Sequence, residues 1–251
     1  MDAPQRPPHL EALPTPVRWS GRDLAGALGL LLLGYAVVLS IVAAIALNFG
    51  DPEVESGPAL AIALATLGFS IWLGAIVVLL ARRKRLTLEQ LGFTPLPGLA
   101  KLWPLATWGS GLVIVFVYGA AILLIEEATG RDLSRLAEGN PLPEGAGMTD
   151  AVWIVLGLSV VVVAPLSEEL FFRGLVFRAV QARWGLVLGM VISGLLFSLV
   201  HFEISVVAPF WGIGMLFAFA YHRSGSLWTP VIAHAIFNGV SFAVTISGVS
   251  P

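Results

Sequence analysis

Apolar stretches with few or no charges alternate along this chain with short polar ones, and the long stretches have helical length. Seven blocks stand out: about Leu24 to Leu47, Ala59 to Leu80, Trp103 to Ile125, Ala151 to Leu166 with its continuation, Leu186 to Val200, Ser205 to Tyr221 and Leu227 to Val249. Most approach the roughly 20 residues that an α-helix needs to cross about 30 Å of hydrocarbon; the fifth and sixth are shorter. The pattern predicts an all-α fold, a polytopic transmembrane bundle of about seven helices, or eight if the short blocks are misread. The first block is too long for the apolar core of a signal peptide and follows a proline-rich lead, so it reads as a retained anchor. Three regions follow: a cytoplasmic lead over 1–23, transmembrane helices and loops over 24–148, and a core carrying the chemistry over 149–251.

Composition agrees with the pattern. Of 251 residues, 57% are hydrophobic and 12% charged, about half the charged share of an ordinary soluble domain. Cysteine is absent, which removes disulfides, thiol catalysis and thiolate metal sites. A net charge of −2 leaves no basic domain for phosphates, so no nucleic-acid partner is expected. Lys and Arg sort by loop. With the N-terminus inside, twelve of the 14 fall on the cytoplasmic side and only Arg131 and Arg135 fall outside, the bias expected of cytoplasmic loops. The chain reads as an integral protein of the cell (plasma) membrane with a cytoplasmic N-terminus, and seven helices put the C-terminus outside. The loop run Ala81 to Arg85 (ARRKR) serves that orientation.

With the loops set aside, Glu168, Glu169 and Glu203 remain in or beside apolar segments. An ionisable group at membrane depth costs a few kcal/mol or more and marks a functional site with a partner to be found. The candidate partners are Arg173, His201, His234 and Asn238. Glu169 and Arg173, four apart in the run SEELFFRG, share a helical face; Glu168 points about 100° away. Phe197 with His201, and His234 with Asn238, have the same spacing. If the fourth block turns at Trp184 and Gly185, Glu168 and His201 lie equally far from the turn and meet at one level, about 24 Å along their helices. Glu203, near a helix end, is expected to face interfacial water, and His222 to lie in a cytoplasmic loop. Gly185 and Gly189 form a G-x-x-x-G match that reads as close helix packing.

A carboxylate beside an imidazole holds a water and takes its proton, and a second imidazole with a carboxamide suits the oxyanion of a tetrahedral intermediate. Amide hydrolysis is one reading. The same Glu168, His201 and His234 match a His₂Glu zinc set with a position left for water; spacing alone leaves both open. In order, and on three separate apolar segments, EELFFR fits E-E-x-x-x-R, FSLVH fits F-x-x-x-H and HAIFN fits H-x-x-x-N. This resembles the CPBP family of intramembrane proteases, which includes type II CAAX prenyl endopeptidases and bacteriocin-processing and immunity proteins, over roughly Ala151 to Gly248. The resemblance implies that Glu168 acts with His201 on water, that His234 and Asn238 form the oxyanion site, and that Glu169, Arg173 and Phe197 support them. It implies a membrane-anchored or lipidated peptide substrate within the lipid bilayer, and a metal-free mechanism with Zn²⁺ as the alternative. Two other classes compete: a non-catalytic immunity or scaffold protein of the same fold, and a proton-coupled transporter, for which the expected repeat is absent from the sequence.

Overall fold

The structure, a computed structural model, describes residue 17 and residues 19–48, 55–137 and 147–247. Most of the lead over 1–23 lies outside the described residues, as do residues 138–146 and the end of the last apolar block. Among the described residues there is no β-strand, and six helices are long and apolar enough to cross a membrane. This is an all-α integral membrane bundle.

Helix α1 (Gly21–Asn48) and α2 (Ser56–Arg83) pair antiparallel, with Trp72 Nε1 donating to the Leu30 carbonyl at 3.0 Å. A one-turn helix, α3 (Leu88–Leu91), closed by a Thr87–Gln90 capping box, and a 3₁₀ turn over Gly98–Leu102 lead into α4 (Trp103–Thr129). After the short α5 (Ser134–Ala137) comes the unusual element. Helix α6 (Asp150–Gly157) runs through a π-helical stretch, Leu158–Val163, into α7 (Ala164–Glu169), then through a second π-helical stretch, Leu170–Phe177, into α8 (Arg178–Leu199). Helices α9 (Ile204–Ser224) and α10 (Trp228–Ile246) complete the bundle.

The predicted fourth and fifth blocks are two helical arms of one apolar stretch, Asp150–Leu199, a long arm before the turn and a short one after it, and they meet where the sequence reading put the turn. The stretch folds back at Gly185, whose φ of 86° and ψ of 174° are non-helical and lie in a region open essentially only to glycine. The arm beyond the turn, 186–199, is about 21 Å long at 1.5 Å per residue, short of a full crossing. The two arms are antiparallel, as Ser193 Oγ donating to the Phe172 carbonyl at 2.8 Å shows. Gly185 and Gly189 therefore play different parts. Gly189 packs closely, since a Cβ there would meet Gln181 and Phe177 at 3.1–3.2 Å, whereas Gly185 has nothing within 4 Å and makes the turn.

Gly189, where a Cβ would lie 3.1 Å from Gln181 Cβ, and the Phe172 and Phe197 rings, 5.5 Å apart, set the pairing of the two arms. His222 departs from expectation: it lies in the last turn of α9, not in a loop, with its Nδ1 3.1 Å from Gln181 Nε2. Glu203 caps α9, accepting from the Ser205 N–H.

Every residue of Leu170–Phe177 is buried, so this stretch is the axis of the bundle. Helices α8 and α9 close on it so tightly that a Cβ on Gly214 would come within 2.6 Å of Gly194 Cα. The end of the bundle nearest the basic loop is laced by polar contacts. Trp19 Nε1 donates to the Gly174 carbonyl at 2.8 Å, Arg178 to the Gln90 carbonyl at 2.6 Å, and the Leu227 N–H to the Gly92 carbonyl at 2.7 Å.

Gly185→Ala is expected to cost about 1–3 kcal/mol through backbone strain at the turn. Gly68→Ala, on an open face of α2 where a Cβ meets nothing within 4 Å, is expected to be neutral or slightly stabilising. Thermal unfolding in detergent measures both, and equal midpoints for the two variants would refute the assignment of Gly185 as the hinge.

Candidate functional site

Glu168 and Glu169 end α7, a single turn and a half of α geometry set between the two π-helical stretches. Such widened turns recur at functional sites because they redirect side chains and release carbonyls. Glu169 is wholly buried, and one of its oxygens, Oε1, accepts from Arg173 Nη1 at 2.8 Å and lies 2.9 Å from His234 Nδ1. A carboxylate oxygen only accepts, so Nδ1 of His234 carries the proton of that bond. The ion pair follows the four-residue spacing read from the sequence; the imidazole on it comes from α10, 65 residues away.

Arg173 is also wholly buried. Its Nη2 donates to the Gly214 carbonyl at 3.1 Å, and its guanidinium lies over the rings of Phe197 and Phe217 at 4.4 and 5.2 Å. This is the environment a buried guanidinium requires: a carboxylate, a carbonyl and two aromatic faces. Phe197 is the hub of the arrangement. Its ring meets Phe172 at 5.5 Å, His201 at 5.1 Å and His234 at 5.6 Å, each near perpendicular.

His201 stands in the short link between α8 and α9, and its Nδ1 lies 2.8 Å from the Phe197 carbonyl. The carbonyl fixes Nδ1 as the donor, which leaves Nε2 free for chemistry. The two histidines thus flank Phe197, each anchored through Nδ1. Glu168 is half-buried, with Oε2 buried and without a hydrogen-bond partner among the described residues. It lies within electrostatic range of His234, Glu169 and Arg173. No hydrogen bond joins it directly to His201. Asn238 is half-buried one turn beyond His234, and its Nδ2 donates to the Val160 carbonyl at 2.7 Å.

The ring-nitrogen anchoring suits zinc ligation, since ligating histidines hold their second nitrogen in this way. The ligand set is not assembled, however: among the described residues no three His, Asp or Glu side chains are gathered closely enough to hold a metal ion. Glu168, His201 and His234 therefore do not fit zinc as placed.

One participant escaped the sequence reading. Tyr35 of α1 donates its hydroxyl to the Val200 carbonyl at 2.6 Å and packs between Phe69, tilted at 4.4 Å, and Phe202, edge-on at 4.9 Å. It lies within electrostatic range of Glu168. Tyr35 thereby pins the link that carries His201, where Phe202 holds a φ of 53°, a conformation uncommon outside glycine. The available signal was a lone tyrosine inside an uncharged apolar block.

Removing one member of the ion pair leaves a buried charge uncompensated, so Arg173→Met or Glu169→Gln is expected to lose about 3–5 kcal/mol, while changing both together recovers much of it. Tyr35→Phe is expected to lose about 1–3 kcal/mol by stranding the Val200 carbonyl. Unfolding midpoints in detergent read all four variants; single and double variants of equal stability would show that the pair does not hold the core.

Comparison with known proteins gives the arrangement its context. Residues 150–240 match the family described as type II CAAX prenyl endopeptidase Rce1-like. YdiL of Bacillus subtilis (strain 168), provisionally named a membrane peptidase, is 31% identical over 77 residues, 31% of this chain and 32% of its own length. An uncharacterized 24.3 kDa protein of Escherichia coli is 28% identical over 151 residues, 56% of this chain and 64% of its own. The membrane-embedded CAAX protease MroQ of Staphylococcus aureus (strain USA300) is 26% identical over 142 residues, 54% of this chain and 55% of its own. The chain thus spans between 32% and 64% of the length of these curated relatives. No solved structure matches it. The matched segment contains Glu168, Glu169, Arg173, Phe197, His201, His234 and Asn238, and over that segment the chain is similar to the Rce1-like type II CAAX prenyl endopeptidase family.

Proposed function

We propose that this protein is an intramembrane endopeptidase that hydrolyses a peptide bond of a membrane-anchored or lipidated, CAAX-like substrate. It would do so near the cytoplasmic face of the cell membrane, with its own N-terminus cytoplasmic. The observation that carries the reading is Glu168 Oε2, a buried carboxylate oxygen without a partner among the described residues and within electrostatic range of His234. A carboxylate kept out of hydrogen bonds at depth is costly, and a general base accounts for that cost. The family match and the printed name of MroQ support peptidase chemistry on a CAAX-type protein.

In the proposed reaction Glu168 accepts a proton from water as the water oxygen bonds to the scissile carbonyl carbon and the carbonyl electron pair moves onto oxygen. His201 Nε2 accepts the second hydrogen of that water and so orients it. In this scheme His234 is an imidazolium whose Nδ1–H stays on Glu169 and whose Nε2–H donates a hydrogen bond to the oxyanion, the oxyanion carrying the negative charge that Glu168 gives up on taking the proton of water. Collapse of the intermediate breaks the C–N bond, and Glu168 returns its proton to the leaving nitrogen. Arg173 neutralises Glu169, so that Glu169 orients His234 and does not compete for the proton. Oxyanion donors of this kind are worth about 10²–10³ in rate, and a positioned base about 10²–10⁴. Each step uses only the chain's own side chains, so the mechanism we propose is metal-free.

The test is cleavage of prenylated and unprenylated CAAX peptides by purified wild type, Glu168→Ala, Glu168→Gln, His201→Ala and His234→Ala, with and without chelator. Both Glu168 variants are expected to lose about 10²–10⁴ in rate, with wild type indifferent to chelation. Undiminished cleavage by Glu168→Ala would remove Glu168 as the base. Activity lost on chelation and restored by zinc would favour the metal alternative, and inert wild type across all substrates the non-catalytic one.

A further inference from the structure

The hydrogen-bond ladder around Leu158–Val163 assigns Asn238 a role apart from the oxyanion. In this stretch the bonds run from residue i+5 to residue i: the Ala164 N–H goes to the Ser159 carbonyl. The next carbonyl, that of Val160, would take the N–H of residue 165. Residue 165 is proline and has none. Ala164, the alternative donor in α geometry, is already committed to Ser159. A carbonyl left unpaired in an apolar bundle costs about 1–3 kcal/mol, and Asn238 Nδ2, 2.7 Å from the Val160 oxygen, supplies the missing donor from the neighbouring helix.

We propose that Asn238 is a positioning residue, its carboxamide standing in for the backbone N–H that Pro165 lacks and so clamping the widened turn of the glutamate-bearing helix onto α10. The geometry around the clamp is consistent. Helix α10 runs antiparallel to the long arm, with His234 on Glu169, Asn238 on Val160, and Phe242 so near Gly157 that a Cβ there would lie 3.0 Å from its ring. Pro165 stands three and four residues before Glu168 and Glu169. The clamp therefore fixes both the start of α7 and its distance from His234. Pro165 and Asn238 act as a unit: the proline creates the orphan carbonyl and the asparagine satisfies it.

This inference rests on the proposed hydrolysis only for its effect on cleavage; its effect on stability stands alone. The experiment is a double-mutant cycle of Asn238→Ala, Pro165→Ala and the pair, read by cleavage rate and by unfolding midpoint of the detergent-purified protein. Asn238→Ala is expected to slow cleavage about 10²-fold, the cost of a misplacement near 1 Å, and to lower the midpoint by about 2–4 °C. Loss of an oxyanion donor would slow cleavage as much, so the single variant does not discriminate. The double variant does. Pro165→Ala restores an N–H that continues the ladder onto Val160, so both the rate and the midpoint of the double variant should return to those of Pro165→Ala alone. A double variant as slow and as unstable as Asn238→Ala would overturn the proposal. If Asn238→Ala does not fold, a folded double variant supports the clamp and an unfolded one refutes it. Inert wild type would count against the peptidase reading and leave the midpoint cycle to decide the clamp.

Discussion

Everything in this bundle is arranged around a guanidinium that cannot lose its charge. Arg173 lies at the centre of the most buried segment of the chain, and a charge there is tolerable only with a carboxylate and further hydrogen bonds. Glu169 answers it from one turn away, Gly214 lends a carbonyl from α9, and Phe197 and Phe217 cover the guanidinium with their aromatic faces. Four elements are thereby committed to one point. Such a pair adds little net stability over a well-packed apolar core, because two charges have left water. It does, however, allow very few alternative packings of α7, α8, α9 and α10. With His234 as its third member, the pair also settles where the imidazole points.

The backbone near this point is as unusual as the side chains. Two π-helical stretches bracket the glutamates, a proline interrupts the ladder between them, and the helix that follows turns back on a glycine into an arm too short to cross a membrane. Irregular backbone at membrane depth is tolerated where it is buried in protein or lines a cavity. Carbonyls along this path find donors on other elements. Trp19 serves Gly174, Ser193 serves Phe172, Tyr35 serves Val200 and Asn238 serves Val160. Side chains from the whole length of the chain thus take over bonds that a regular helix would have made with itself, and the cost of distorting the glutamate-bearing helix is spread over its neighbours.

This explains why the first three helices matter to a site whose motif residues all lie beyond residue 150. Tyr35 reaches across from α1 to the link that carries His201, and Trp19 closes the other end of the long arm. Both fall outside the segment that the family model matches.

The sequence by itself determined the class of fold and the cast of the site. Apolar blocks of helical length allow only a helical membrane bundle, since backbone polar groups in lipid must pair within their own segment, and a carboxylate or imidazole in such a block is rare enough to be noticed individually. The Glu169–Arg173 pair was legible for the same local reason, a spacing of four on one helix. Only the tertiary structure decided which glutamate His234 meets, that His201 turns its Nδ1 to a carbonyl, and that Asn238 faces Val160. Those outcomes depend on the register between helices and on carbonyls freed by widened turns. Both are set by packing between residues far apart in the chain, and a count of about 1.5 Å per residue along a regular helix does not contain them.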